Sequence, residues 1–468
     1  MEAASLESGR VPLGGYRPAS VDVAQLARLA LPVTLAQVGL MTMGLVDTIM
    51  VGRVSPVDLA AVAIGHLYFF GIAVVGMGIL FALDPVISQA VGADDTVGIA
   101  RGVQRGVVLA TGLSIVATAL LVPVGPILTV LRQPPEVIPI ATRYVHGLLP
   151  AVLPFYVFVV LRQSLQAMGR VRAIVLAVVA ANLLNAFLNW VFIFGNLGAP
   201  ALGAVGSAYV TTVARWFTTL ALVALAWPYL SSSLRPLRRE ALLTRPLLQL
   251  LRVGGPVGAQ QWLEVGVFAT AGLFMGWMGA LALAGHQVAL QMAALTFMVP
   301  LGVAQATSVL VGQAVGRGDA EAARRATGAG VLIGVGFMTA TAVTFLAVPD
   351  LLSRAFSDDP PVIAAAAVLL PIAGVFQVFD GLQVVAAGAL RGVGDTRVPM
   401  LLNLVGFWLL GLPVSLWLGF GLGWGPRGVW WGLAIGIGAV AVLLTLRLKR
   451  RLGRALHRLV IDEDVTVA

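Results

Sequence analysis

The chain has 468 residues, of which 59% are hydrophobic and 11% charged, with a mean hydropathy of +0.95; a soluble fold carries about 25% charged residues and cannot hide this apolar surplus. The absence of cysteine removes disulfides, thiol catalysis and zinc–thiolate sites. The net charge of +9 sits at the ends of apolar runs rather than along one groove-sized patch, which points to anionic lipid headgroups and away from nucleic acid.

Residues 1–20 contain no apolar run of the kind a cleavable signal peptide has, so the first span reads as its own insertion signal. A spanning helix needs about 20 mostly apolar residues. The first such stretch is 28–50, with Asp47 towards its outer end. The second, 60–86, ends near Asp84, whose place before Pro85 suits a helix-end or loop-anchoring residue. Spans at 105–130 and 140–162 carry no acid. The fifth, 172–195, holds Asn185 and Asn189, one turn apart and so on one face, with Asn182 nearby as candidate helix–helix glue. The sixth, 203–228, contains Arg215, the one basic residue well inside a span; it reads as facing the interior and pairing with an acid or carbonyls.

A basic, proline-bearing stretch at 230–250 divides the chain almost in half. It reads as a linker between an N-terminal lobe, 20–235, and a C-terminal lobe, 236–460. Beyond it come spans at 250–277, with Glu264, and 283–311, beside His286, which is either a packed histidine or a proton shuttle. Those at 328–348, 361–388, 398–420 and 428–447 complete twelve, and Asp380 lies in the tenth. The basic C-terminal run RLKRRLGRALHRL suits a lipid surface.

Charge placement agrees with this count. With the N-terminus in the cytoplasm, the outer segments hold Arg53, Arg132, Arg143, Arg354 and Arg427, while nearly every other basic residue falls inside. The expected fold is therefore an all-α polytopic membrane protein of the inner or plasma membrane with both termini cytoplasmic. The halves also repeat. QAVG occurs at 89–92 and 313–316; Pro32 and Gln37 recur with the same spacing as Pro256 and Gln261; Gly169 and Arg172 recur one residue further as Gly394 and Arg397. Six spans per repeat give both halves the same orientation, a parallel repeat about the membrane normal.

A carboxylate at the bilayer centre costs about 2.5–3.5 kcal/mol on insertion scales, which makes each intramembrane acid a functional candidate. Glu264 lies about 18 Å along its helix from Arg252, and Asp380 about 16 Å from Arg391, so both fall near the midplane. Two such acids repel unless they share a proton or bind a cation. Asp47 and Asn189 stand at similar heights in the first lobe, and carboxylate plus amide oxygens suit a hard cation or a proton relay. Lys449 is the one lysine and no phosphate-binding Gly-x-x-x-x-Gly-Lys precedes it, so energy comes from an ion gradient rather than ATP. The match to Gly-x-Gly-x-x-Gly at Gly423, Gly425 and Gly428 follows no strand and reads as chance. No nucleophile–base set or cofactor motif is apparent, so the chain does not read as an enzyme.

The runs LPVTLAQVGLMTMGLVDTIMVGR (31–53), ISQAVGADD (87–95), GPVGAQQWLEVGVFA (255–269), AGHQVALQMAALTFMVPLGVAQATSVLVGQAVGRGD (284–319) and FQVFDGLQVVAAGALRGVGDTRVP (376–399) resemble the multidrug and toxic compound extrusion (MATE) family, in its bacterial NorM-like branch. The resemblance covers about 28–450. It implies two six-helix bundles facing each other in a V, and export of amphipathic organic cations such as drugs and dyes in exchange for Na⁺ or H⁺, by a protein acting as a monomer among membrane lipids. By the same resemblance Asp47, Asn185 and Asn189 match a cation site of the N-lobe, and Glu264 and Asp380 match the coupling acids of the C-lobe; either set is a candidate for Na⁺. Phe376 stands where that branch often has tyrosine, and the lost hydroxyl weighs against Na⁺ in the C-lobe. A flippase for a lipid or lipid-linked saccharide is the alternative, and it would favour a cationic cleft.

Overall fold

The computed structural model describes residues 15–461. The reading of the N-terminal segment therefore falls partly, and that of the two termini wholly, outside the described residues. The described chain is nearly all helix. Twelve long helices follow in order: α1 (Ser20–Gly52), α2 (Pro56–Gly92), α3 (Thr96–Leu121), α4 (Val137–Ala167), α5 (Arg172–Phe192), α6 (Gly203–Leu234), α7 (Thr244–Trp277), α8 (Ala280–Gly316), α9 (Ala320–Ala347), α10 (Pro360–Gly392), α11 (Arg397–Gly421) and α12 (Pro426–Leu452). Eleven of them are long and apolar enough to cross a membrane; α7, at 34 residues, is long enough but more polar. Side chains such as Leu31, Ile115, Leu183, Leu332 and Val343 are exposed, as a surface solvated by lipid requires.

Each of the twelve expected spans corresponds to one long helix, and the differences are local. Residues 124–130, placed at the end of the third span, form a separate short helix, Val124–Val130. Helix α2 turns at Phe81–Ala82, where the backbone steps into a second segment, Leu83–Gly92. Helix α11 is wound as π-helix over Leu404–Gly411 and Trp417–Gly421. Gly406 and Gly411 approach α12 at Val440 and Gly436 there, and wider winding accompanies that close approach.

The repeat is visible residue by residue. Asp95 caps α3 by accepting from Gly98 N at 2.7 Å, and Asp319 caps α9 by accepting from Ala322 N at 2.8 Å. The residue before each cap, Asp94 or Gly318, is left-handed (φ 54° and 74°). Gly169 and Gly394 are left-handed as well (φ 70° and 80°), at matched turns before α5 and α11. The short helix after α3 has its counterpart in Pro349–Arg354 after α9.

By mutual packing the chain falls into two compact units. The N-terminal unit comprises Leu35–Leu83 and Asp95–Gly258, and the C-terminal unit the chain up to Thr34, Asp84–Asp94 and Ala259–Val460. Each takes in the inner half of a helix from the other repeat. In the N-terminal unit α7 lies backbone to backbone on α2, where a Cβ added at Gly78 would come within 2.5 Å of Gly258 Cα. In the C-terminal unit α1 lies on α8 in the matching way, Gly302 against Thr34. Helix backbones close to this degree only where one partner lacks a side chain. The two QAVG copies meet within the C-terminal unit: a Cβ at Gly92 would collide with the Gln313 carbonyl oxygen, and one at Gly316 with that of Gln89.

The expected linker is strapped down. Gln104 of α3 donates to the carbonyls of Ser233 and Pro236, each at 3.0 Å, and accepts from Arg238 N at 2.9 Å. Arg101 reaches Glu240 at 3.5 Å, and Arg105 donates to the Glu240 carbonyl at 3.2 Å. The C-terminal run is tied down at its end. Helix α12 stops at Leu452, and Leu459 N docks on Gln89 Oε1 at 2.6 Å. That side-chain oxygen offers the non-helical tail an acceptor that hydrocarbon cannot.

Candidate functional site

In the N-terminal unit α1, α5 and α6 converge on one acid. Asp47, on α1, is 6% exposed, and Asn185 and Asn189, on α5, are 1% and 0% exposed. Asn189 Nδ2 donates to Asp47 Oδ1 at 2.5 Å and lies 3.2 Å from Asn185 Oδ1. Thr211 of α6 donates to Asp47 Oδ2 at 2.9 Å. The three residues read from the sequence thus come together, and Thr211 joins them.

Two polar atoms in this cluster are buried without a hydrogen-bond partner among the described residues: Asn189 Oδ1 and Asn185 Nδ2. The donor set is a single carboxylate with amide and hydroxyl oxygens. Among the described residues no three His, Cys, Asp or Glu side chains gather in a group that could hold a metal ion. One negative charge among neutral oxygens suits a monovalent hard cation, or a proton on Asp47, better than a divalent ion that calls for several carboxylates. Asn182 lies off this face; its Nδ2 donates to the Gly39 carbonyl at 3.0 Å and ties α5 to α1.

In the C-terminal unit the focus is Glu264 of α7. Its Oε1 accepts from Asn403 Nδ2 of α11 at 2.8 Å, Gln383 Nε2 of α10 at 3.0 Å and Gln260 Nε2, one turn earlier, at 3.3 Å. Asp380 is 9% exposed and three residues before Gln383 on the same helix. It makes no hydrogen bond to Glu264. Amides from three helices thus converge on Glu264, with Asp380 one turn from one of them. Phe376, one turn before Asp380, stands edge-on between Phe268 and Trp430, each ring pair 6.0 Å apart. It offers packing where a hydroxyl would offer a ligand. Gln377 beside it donates to Thr296 and accepts from Thr341 at 3.0 Å.

The remaining candidates lie outside both clusters. Asp84 is 1% exposed and pairs with Arg391 at 3.4 Å within the C-terminal unit, a contact that holds the second segment of α2 to α10. His286 is fully buried and meets Trp430 edge-on at 5.6 Å, the packed-histidine arrangement. Arg215 departs from expectation. No acid within 4.0 Å pairs with it among the described residues. Its guanidinium lies over the rings of Phe69 at 4.6 Å and Phe155 at 5.0 Å.

Sequence reasoning missed Thr211, Gln260, Gln383 and Asn403. Spacing offered a signal for two of them: Gln260 shares a face with Glu264, and Gln383 with Asp380. Asn403 is the one amide in the eleventh span. Thr211 gave none, because α6 also offers Thr212, Thr218 and Thr219.

Comparison with known proteins bears on family and fold. The family model MatE matches the chain twice, over 32–191 and 256–417, so the repeat is also a repeat of the family unit. A multidrug resistance protein NorM of Burkholderia vietnamiensis is 37% identical over 431 residues, 90% of this chain and 92% of that protein. Multidrug resistance protein MdtK of Edwardsiella ictaluri is 33% identical over 92% of this chain and 95% of its own length. Among solved structures, the eukaryotic MATE transporter AtDTX14 superposes with a TM-score of 0.84 at 22% identity, covering 92% of this chain and 98% of that one. A MOP superfamily transporter from Pyrococcus furiosus superposes with a TM-score of 0.83 at 22% identity, covering 92% and 96%.

Proposed function

Since the chain belongs to the MatE family, we propose that it is a cation-coupled antiporter. It exports amphipathic, often cationic organic compounds by alternating access, in exchange for Na⁺ or H⁺. It sits in the cell membrane with both termini in the cytoplasm, works as a monomer among lipids and needs no cofactor. Its two six-helix lobes, 20–235 and 236–460, are the bodies that move.

The observation that carries this reading is the Asp47 cluster. Three helices converge on a buried carboxylate whose remaining lone pairs and the orphaned Asn189 oxygen suit a small cation. A cation that binds one conformation more tightly than another shifts the population between them. A cation on Asp47 competes for the carboxylate oxygens to which Asn189 and Thr211 donate, so loading and release change how α1, α5 and α6 are held together. Glu264, with its three amide donors, and Asp380 give the second lobe an equivalent handle. One charge crossing 100 mV yields about 2.3 kcal/mol for each cycle. A flippase for lipid-linked saccharide would want clustered cations for pyrophosphate, whereas the buried arginines of the first lobe are used within it, Arg105 on the Glu240 carbonyl and Arg162 on Gln37.

The test is dye efflux from proteoliposomes with sodium and pH gradients imposed separately. One gradient should drive efflux in the native protein, and Asp47→Asn should abolish that drive while the protein still inserts. Efflux indifferent to both gradients would end the antiport reading.

A further inference from the structure

On α12 the exposed side chains Trp431, Ile435, Val442 and Leu446 follow the spacing of one helix face, and on α10 Val368 and Phe379 do the same. Between the two helices on this side runs a groove of about 560 Å³, lined entirely by apolar atoms. Its lining includes the small residues Ala434, Gly438 and Ala439 and the large ones Phe379, Trp431 and Leu443. A Cβ added at Gly438 would stand 3.8 Å from the Phe379 ring, so the missing side chain keeps the middle of the groove open.

The dimensions select the occupant. From Trp431 to Leu443 the groove follows α12 for about 18 Å, and its volume spread over that length leaves a mean cross-section of about 30 Å². A helix, about 10 Å across, does not fit. An extended hydrocarbon chain, whose carbons lie about 4 Å from their neighbours, does. The length is close to that of one leaflet, about half of a 30 Å hydrocarbon core. Charge marks one end. Arg427, in the first turn of α12, is exposed and lies one turn before Trp431 on the same face, and no acid pairs with it among the described residues. Beyond the other end, the next basic residue of α12 is Arg447, which is already taken by Asp395 at 2.7 Å. A free guanidinium fork at a membrane surface matches the oxygens of a phosphate.

We propose that this groove is a binding site for one membrane phospholipid: an acyl chain lies along Gly438 between α10 and α12, and the headgroup phosphate sits on Arg427. A chain in the groove has carbon neighbours on several sides, where a chain against a smooth helix surface has them on one, and dispersion attraction grows with the number of such contacts. The site lies wholly within the C-terminal unit. It depends on the chain lying in a membrane and not on the ion that drives transport.

The test uses the purified full-length chain in detergent and two probes, phosphatidylglycerol and a diacylglycerol with the same two acyl chains. Native mass spectrometry measures the dissociation constant of the first lipid bound. The native protein should hold the phospholipid about fivefold more tightly than the diacylglycerol. In Arg427→Gln that ratio should fall to near one. Gly438→Leu, which sends a side chain into the groove, should weaken both lipids about tenfold. A native protein that binds the two lipids equally overturns the proposal whether or not the variants fold. So does an Arg427→Gln protein that keeps the native ratio, or a Gly438→Leu protein that binds both lipids as the native one does. A native protein that is dimeric in the same detergent and becomes monomeric as Gly438→Leu also overturns it, and gives the face to a second copy of the chain.

Discussion

Asp47 is buried among neighbours whose hydrogen bonds offset the cost of its charge. Insertion costs about 2.5–3.5 kcal/mol, and each hydrogen bond to a charged group returns about 1.5–3 kcal/mol. Asn189 and Thr211 supply one each. Removing the Thr211 hydroxyl should therefore weaken the site measurably. We expect Thr211→Ala to raise the half-saturating concentration of the coupling cation about tenfold, and Thr211→Ser, which keeps the oxygen, to stay near the native value; equal effects would mean that the methyl group and packing matter instead. In the other unit Asn403 gives Glu264 its shortest bond, at 2.8 Å. Asn403→Leu should slow cation-driven efflux about tenfold, with the thermal midpoint as the control for packing; unchanged efflux would take Asn403 out of the site. Acids and clustered amides were legible in the sequence because they are costly in lipid. Thr211 was not, because a hydroxyl in a span usually satisfies itself on its own helix. Thr42, Thr48, Thr111 and Thr218 all donate to the carbonyl four residues back, so a threonine there carries no signal until its partner is seen.

The long helices were legible because hydropathy, helix length and bilayer thickness constrain one another. Their interruptions were not. The turn in α2 and the π-winding of α11 answer to neighbours distant in sequence, such as Val440 and Gly436 of α12 against α11. The connection between the repeats shows the same limit. Its basic, proline-bearing composition read as a linker between lobes, and Gln104 makes three hydrogen bonds to it from α3. No pattern local to 230–250 announces that. Gln104→Leu removes all three and leaves Arg101 and Arg105 as the remaining ties. Trypsin should then cut after Arg238 or Arg239 several times faster than in the native protein, with the helices otherwise intact; an unchanged digestion rate would show that the arginine contacts suffice.

At the scale of the molecule, sequence repeat and packing divide the chain differently. The repeat divides it near 235. Packing assigns the inner half of α1 and residues 84–94 to the C-terminal unit, and the inner half of α7 to the N-terminal one. The reason is the small-residue contacts that match across the repeat, Gly78 with Gly258 and Thr34 with Gly302, together with the QAVG copies that meet one another. Which division moves is open to a direct experiment, because the natural chain has no cysteine and an introduced pair is the sole target of a thiol cross-linker. Asp84 and Arg391 face each other at 3.4 Å. A short, reducible bifunctional thiol reagent between Asp84→Cys and Arg391→Cys ties 84–94 to α10. If the six-helix lobes are the moving bodies, this link joins one to the other across a contact that must open in each cycle. Cross-linking should then arrest the efflux that the double variant shows beforehand, and reductant should restore it. If 84–94 travels with the C-terminal unit throughout, the same link lies within one body, and efflux should continue after cross-linking at the rate the double variant shows before it.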